Sequence, residues 1–426
     1  MNSIVIFFLL IALMLTGMPV SIALGITVLT FLFFFSDVPI QAVALKLFTG
    51  IEKFEIMAIP FFILAGNFFT HGGVAKRIIN FVTSLLGHWH GGLAISGVIA
   101  CALFAAVSGS SPATVVAIGS ILFPALIKQG YSKSFSSGLI TSSGGLGILI
   151  PPSIVMVMYS VSTNTSVGKL FIAGIIPGLI LAILLSITTW IMAKKQSFFS
   201  SEKVGFKDRL IAFKRCVWGL LLIIIVIGGI YSGIFTPTEA AAVSAVYAFL
   251  ITIFVYKDIR ISDVPKIILE SAAMSAMLLY IITNAVLFSF LLTNEGIPQS
   301  MANWILDKGF GPVTFLLIVN FLLLISGNIM EPSSIILITA PILFPVAQKL
   351  GIDPVHFGII MVINMEIGMC TPPVGLNLYV ASGIFKIGIT KLSYAVMPWL
   401  LTMLMFLLVI TFIPTISLWL PNLVYG

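Results

Sequence analysis

A chain of 426 residues that is 59% hydrophobic and only 8% charged, with a mean hydropathy of +1.20, is excluded from the soluble globular class. Soluble domains carry about 25% charged residues, and here too few polar side chains exist to cover a surface facing water, whereas lipid accepts such a sequence if helices satisfy the backbone. The net charge of +7 does not point to nucleic acid, because seven of the 21 Lys and Arg fall between Lys194 and Arg215 against only Glu202 and Asp208.

That basic stretch, 194–215, reads as a linker between hydrophobic segments and is placed in the cytoplasm by the positive-inside rule. An interfacial amphipathic helix with snorkelling lysines is compatible with the same residues. Cys101, Cys216 and Cys370 are far apart in or beside apolar runs and read as small core residues, with neither a disulfide nor a metal site. The first Lys is Lys46, so the apolar start lacks the basic region of a cleaved signal peptide and is expected to be a retained span.

In chain order, apolar segments near 4–16 and 19–35 are separated at Gly17-Met18-Pro19, and Pro is well tolerated in the first turn of a helix. A span near 56–70 is followed by a short interfacial helix over 73–81. Residues 91–107 and 113–127 then form two apolar arms around Ser108-Gly109-Ser110-Ser111-Pro112. Each arm is marginal for crossing a ~30 Å hydrocarbon core. The pair reads as a re-entrant hairpin (91–127), whose tip is tolerated at membrane depth only where protein or water covers it. Two ordinary helices joined by a surface turn are the plainer alternative. Next comes a helix broken at its middle (134–165), interrupted by Gly144-Gly145-Leu146-Gly147 and Pro151-Pro152. Pro removes N–H donors and disfavours helix in the preceding residue, and Gly permits the reversal. A final span lies near 170–193.

The same order then returns. Spans near 217–235, 239–256 and 268–292 lead to a second hairpin (312–347) with its tip at Ser326-Gly327-Asn328. A second broken helix (355–385) is interrupted at Gly368-Met369-Cys370-Thr371-Pro372-Pro373, and a last span runs near 395–420. Ile121, Leu122, Phe123, Pro124, Lys128 and Gly130 recur as Ile342, Leu343, Phe344, Pro345, Lys349 and Gly351. The offset of 221 residues persists at Pro151/Pro372, Pro152/Pro373 and Pro177/Pro398, and Pro19/Pro237 are 218 apart. The expected fold is therefore an all-α polytopic membrane protein with repeats at 1–193 and 216–426. Each repeat has five crossings and one hairpin. An odd number of crossings inverts the second repeat, so a cytoplasmic linker puts both termini outside. Inverted repeats with discontinuous helices point to a secondary transporter.

The four Arg residues, Arg77, Arg209, Arg215 and Arg260, all lie away from the hairpins and breaks. The polar residues available to a central cavity are Ser108, Ser110, Ser111, Thr141, Ser142, Ser143, Asn164, Asn328, Asn364, Thr371 and Asn377. Hydroxyl and carbonyl oxygens suit a hard cation, and half-helix N-termini suit an anion. The combination points to a Na⁺-coupled carrier of an organic anion. Glu331 and Glu366 adjoin the second tip and break, and intramembrane carboxylates are functional by default; a structural hydrogen-bonding role competes with a direct one. His71, His88, His90 and His356 read as interfacial. The chain has no G-x-x-x-x-G-K-[ST] phosphate loop, no H-E-x-x-H and no G-x-S-x-G, which argues against nucleotide use and against an intramembrane hydrolase.

The tip SGSSPAT, the segment SSGGLGILIPPS and their second-half partners SGNIMEPSS and GMCTPPVGLNLYV resemble the large membrane subunit of tripartite ATP-independent periplasmic (TRAP) transporters. The resemblance covers nearly the whole chain. It implies a non-enzymatic carrier of the bacterial inner membrane that works as an elevator on a Na⁺ gradient, with no nucleotide. It further implies two partners: a soluble periplasmic binding protein that delivers the substrate, and a small membrane subunit of about four helices that the repeat does not supply. One Na⁺ site would lie between Ser108, Gly109, Ser110, Ser111 and Gly144, Gly145, Gly147, and a second between Ser326, Gly327, Asn328 and Gly368, Met369, Cys370, Thr371. Substrate would sit near Ser142, Ser143, Pro151, Ser153 and Asn377. The family carries sialic acid and C4-dicarboxylates, and the expectation leans to sialic acid. The alternatives are a self-sufficient Na⁺/dicarboxylate symporter of the same hairpin architecture and, more remotely, a channel or an intramembrane enzyme.

Overall fold

The computed structural model describes residues 2–35, 38–194 and 203–425. Every regular element among them is helical. Helices α1 (Asn2–Leu15), α2 (Val20–Phe35) and α3 (Ile40–Thr49) lead to α4 (Ala58–His71) and α5 (Val74–Leu86). Most of these are apolar on all sides, the pattern of spans and of buried helices. The exception is α5, which buries Val74, Ala75, Ile78, Ile79 and Val82 on one face and keeps Lys76 and Arg77 off it. Then come α6 (Gly92–Ser108), α7 (Ser111–Lys128), α8 (Lys133–Gly144), α9 (Ile154–Thr163) and α10 (Val167–Lys194).

The second half opens with α11 (Phe206–Ile223), which passes through a π-helical segment, Ile224–Gly228, into α12 (Gly229–Tyr231). It continues through α13 (Pro237–Leu250), α14 (Val264–Asn294), α15 (Ile297–Asp307), α16 (Pro312–Gly327), α17 (Pro332–Lys349), α18 (Pro354–Met369), α19 (Leu376–Phe385), α20 (Ile389–Phe412) and α21 (Thr415–Tyr425). By length and composition, eight helical segments among the described residues are able to cross a membrane: Phe54–His71, Ser111–Lys128, Val167–Lys194, Phe206–Tyr231, Pro237–Val255, Ile261–Asn294, Pro332–Lys349 and Ile389–Phe412.

Four sequence expectations change. The basic linker is partly helical: Lys207, Arg209, Lys214 and Arg215 lie on α11, which starts eleven residues before the expected span, while 195–202 lie outside the described residues. Helix α3 has no counterpart in the expected elements. The last span stops at Phe412, because Pro414 forces Ile413 out of the helical region (φ −122°, ψ 78°) and the chain turns into α21. His356 is not interfacial; it is buried on α18, with Nδ1 2.7 Å from Ser417 Oγ on α21.

Packing interleaves the two halves. Helix α13 lies along α4 and α14 along α2; α19 packs on α7 and α9 on α17; α8 runs against α20 and α18 against α10. Trp399 of α20 is fully buried and donates from Nε1 to Thr189 Oγ1 of α10 at 2.9 Å, satisfying the indole in an apolar setting. The three cysteines are buried and free.

Candidate functional site at the hairpin tips and helix breaks

Each tip arises from local chemistry. Helix α6 ends at Gly109, whose φ of +61° is a left-handed cap that glycine adopts at little cost, with its N–H bonded to Ala105 O at 2.9 Å. Ser110 is extended and α7 starts at once with Pro112 in its first turn. The second tip is two residues longer. Helix α16 ends at Gly327, and α17 begins after Glu331, whose carboxylate caps it by accepting from Ser334 N at 3.1 Å.

The breaks are short helical arms facing each other across irregular backbone. Helix α8 tightens into a 3-10 turn, Gly145–Ile148, and the chain resumes at α9. Ser153 caps α9, accepting from Met156 N at 3.4 Å, and donates back to Ile148 O at 2.6 Å. Helix α18 stops at Met369, and α19 starts after Gly375 (φ +55°). Both Pro pairs, Pro151-Pro152 and Pro372-Pro373, contain a cis peptide bond. The ten residues of α9 or α19 span about 15 Å at 1.5 Å per residue, half a hydrocarbon core.

The first tip presses into the first break. A side chain on Gly147 would place Cβ 2.6 Å from Ser110 O, and one on Gly109 would place it 2.8 Å from Pro152 O. Ser111 donates from Oγ to Gly144 O at 2.9 Å. The second tip does the same. A Cβ on Gly368 would lie 2.6 Å from Gly327 Cα, and Gly375 N donates to Asn328 O at 3.1 Å. The carbonyls of Thr371 and Met369 lie 2.8 and 2.9 Å from where a Gly375 Cβ would be. Carbonyl oxygens thus gather at both contacts, as a hard cation requires.

The second break also reaches the first half. Asn377 donates from Nδ2 to Ser111 Oγ at 2.6 Å, and Cys370 Sγ lies 3.5 Å from Thr141 O. Glu366 lies against Gly145, so that a Cβ there would be 2.8 Å from Glu366 Cγ. The surroundings differ in access: Gly144, Gly145, Gly147, Pro151, Pro152 and Ser153 are buried, while Pro373 and Val374 are exposed and Asn328 is half-buried.

Several expected site residues have purely local partners. Ser326 and Thr371 bond back to Leu322 O and Ile367 O at 2.9 and 2.7 Å, and Thr141 to Ser137 O at 2.7 Å. Ser108 Oγ pairs with Thr114 Oγ1 at 3.0 Å. Asn164 does not join the centre: it ends α9 in a left-handed conformation and accepts from Lys53 Nζ at 2.7 Å. In contrast, Ser142 and Ser143 Oγ, Asn328, Asn364 and Asn377 Oδ1, and both oxygens of Glu366 are buried with no hydrogen-bond partner. Buried polar atoms are normally satisfied, and this group at the tips and breaks makes them the candidate place for a ligand. Among the described residues, no cluster of three His, Cys, Asp or Glu is arranged to hold a metal ion. Neutral oxygens with one carboxyl are chemically compatible with a monovalent hard cation.

The sequence patterns missed two features. Asn364 Nδ2 donates to Asn320 Oδ1 at 2.8 Å and Asn320 Nδ2 to Thr411 Oγ1 at 2.9 Å, a polar chain across α18, α16 and α20. Asn364 stood out as a polar residue of the second break, but its partner Asn320, a lone Asn within the apolar run of α16, did not. The Lys53 tie to α9, which also engages Val161 O at 2.6 Å, joins residues 108 apart and leaves no local pattern.

Comparison with known proteins identifies the family to which the chain belongs. Residues 7–416 match the family model described as tripartite ATP-independent periplasmic transporter, DctM component. The C4-dicarboxylate TRAP transporter large permease protein DctM of Rhodobacter capsulatus is 67% identical, over 99% of both chains. The sialic acid TRAP transporter large permease protein SiaM of Vibrio cholerae is 36% identical, over 97% of both. In fold, the chain is similar to the Alcanivorax borkumensis YdaH transporter, with a TM-score of 0.65 over 90% of each chain at 16% identity. The chain is a membrane transport protein of the DctM family, the large permease component of TRAP transporters.

Proposed function

We propose that this chain is the membrane carrier of a Na⁺-driven importer for a C4-dicarboxylate or a closely related small organic acid. The observation that carries the reading is the meeting of two hairpin tips with two helix breaks around buried, unpartnered oxygens. The substrate class follows relatedness. The 67% identical relative is named for C4-dicarboxylates and the 36% identical one for sialic acid, so the leaning moves from sialic acid to a dicarboxylate.

In this reading residues 1–193 and 216–426 are inverted repeats. One Na⁺ lies between the first tip and break and another between the second, with substrate held near Ser142, Ser143 and Asn377. Ser153 serves the site indirectly, because its hydroxyl is committed to capping α9. The tips and breaks move as one body against a fixed scaffold, the linker is cytoplasmic and both termini face the periplasm of an inner membrane. A periplasmic binding protein and a separate small membrane subunit complete the transporter.

The energetics fix a useful distinction. One charge crossing 100 mV is worth about 2.3 kcal/mol. Two Na⁺ with a dianion move no net charge, so the Na⁺ gradient alone drives uptake; a third Na⁺ would add the potential. Uptake of labelled C4-dicarboxylate into proteoliposomes, with and without Na⁺, binding protein and small subunit, tests the reading. Uptake only when all are present is expected. Equal uptake in choline and sodium would remove the Na⁺ sites, and uptake by this chain alone would favour a self-sufficient symporter.

A further inference from the structure

The offset of 221 residues that relates the two halves places Glu366 at the position of Gly145. These two equivalent residues touch: a side chain on Gly145 would bring Cβ to 2.8 Å from Glu366 Cγ and 3.0 Å from Oε1. Contact between equivalent positions puts the pair where the two halves meet. It also explains why the halves differ there, since a second carboxylate would collide with the first. Glycine in one copy leaves room for a single acid.

That acid is 0% exposed, and neither of its oxygens has a hydrogen-bond donor. None of the four Arg residues of the chain lies in the tips or breaks, and among the described residues Glu366 has no ion pair. A buried charge without a partner is strongly unfavourable, so this carboxyl either holds a proton or meets a cation supplied from outside the chain. The last turn of α8, ending at Gly144 directly before Gly145, carries the unpartnered hydroxyls of Ser142 and Ser143. Cys370, one turn beyond Glu366, carries the Sγ that meets Thr141 O. A carboxyl at the meeting of two broken helices, next in the fold to a turn that carries unpartnered hydroxyls, offers oxygen chemistry that suits a monovalent hard cation.

We propose that Glu366 is the anionic ligand of a Na⁺ held at the centre, shared by both breaks, so that occupancy of this ion draws the two halves of the site together. The proposal rests on the Na⁺-coupled reading above. It differs from the sites between each tip and its own break in requiring a side chain from the second half to complete a site in the first.

The test compares wild type with Glu366→Gln, as the purified membrane complex, in NaCl and in choline chloride at equal ionic strength. Two quantities are read: the Na⁺-induced rise in melting temperature, and the Na⁺ half-saturation of binding-protein-dependent uptake. Loss of a residue that only orients a metal ligand typically costs about 10–100-fold in affinity, and loss of a direct anionic ligand should cost at least the lower end of that range. The expected result is a Na⁺-induced shift that is smaller in Glu366→Gln than in the wild type, the remainder coming from the ions at the tips, with a Na⁺ half-saturation of uptake raised about 10-fold or more. A Glu366→Gln protein that loses uptake but keeps the wild-type shift would overturn this proposal while leaving Na⁺ coupling intact. Absence of both the shift and Na⁺-dependent uptake in the wild type would overturn the Na⁺-coupled reading itself. If Glu366→Gln does not fold, Glu366→Asp decides: withdrawing the carboxylate by one methylene should raise the Na⁺ half-saturation, and an unchanged value overturns the assignment.

Discussion

Asn377 and Ser111, 266 residues apart, are joined by a 2.6 Å hydrogen bond from the Asn377 amide to the Ser111 hydroxyl. The hydroxyl donates in turn to Gly144 O. Three elements thus share one polar chain: the first hairpin tip, the first break and the helix that follows the second break. The remaining oxygen of Asn377 is buried and unpartnered, which leaves it available to a ligand.

The first prediction follows from that chain. Asn377→Ala leaves the Ser111 hydroxyl without a donor, and a buried group so abandoned costs about 1–3 kcal/mol, roughly 5–150-fold in an affinity. Ser111→Ala removes the same link and also the bond to Gly144. Apparent affinities for Na⁺ and substrate should fall in each single variant. The double variant should be less impaired than the sum, with a coupling of about 0.5–3 kcal/mol. A double-mutant cycle on proteoliposome uptake measures it, and strict additivity would separate the two residues functionally.

Close backbone approach yields a second prediction. Gly368→Val would drive Cβ to 2.6 Å from Gly327 Cα. The obstacle is backbone, so relief requires shifting the second tip away from its break. Uptake should be abolished while expression and membrane insertion persist. Gly383, on α19, is the contrast: a Cβ added there would meet no atom within 4 Å, and its φ is not positive. Gly383→Ala should leave uptake at wild-type level and raise helix stability slightly, by up to about 1 kcal/mol. Uptake by the pair, normalised to protein in the membrane, checks the contrast; retained transport in Gly368→Val would dissolve the proposed contact.

The interruptions were legible in the sequence because Gly and Pro act locally: Gly109, Gly375 and the two Pro pairs each mark a place where a helix must stop. Ser153 was legible as a polar residue after Pro-Pro, but its capping role needed the backbone of α9 beside it. The turn at Pro414 was also signalled, yet one Pro in an apolar run is read as easily as a kink, and α20 and α21 were merged. What no local pattern contains is which interruption meets which. The Gly145–Glu366 and Asn377–Ser111 contacts depend on how α19 folds back on α7 and α18 on the first break. Glu366 therefore read as one scarce acid among two, with no means of ranking it above Glu331.

The structure separates those two acids, and a third prediction follows. Glu331 is half-buried and its Oε2 accepts from Ser334 N at 3.1 Å and Ser334 Oγ at 3.3 Å, closing the first turn of α17. A carboxylate there also faces the positive end of the helix dipole. Its role is that of a cap. Glu331→Ala should lower the stability of the purified protein by about 1 kcal/mol. Glu331→Asn, which restores a capping oxygen, should recover most of the loss. Neither should change the Na⁺ concentration that half-saturates uptake. Thermal unfolding in detergent reads the first effect and Na⁺ titration of uptake the second. Glu331→Asn with wild-type melting but several-fold weaker Na⁺ dependence would move Glu331 from the helix cap into the ion site, because a neutral cap would then have replaced a charge the ion needed.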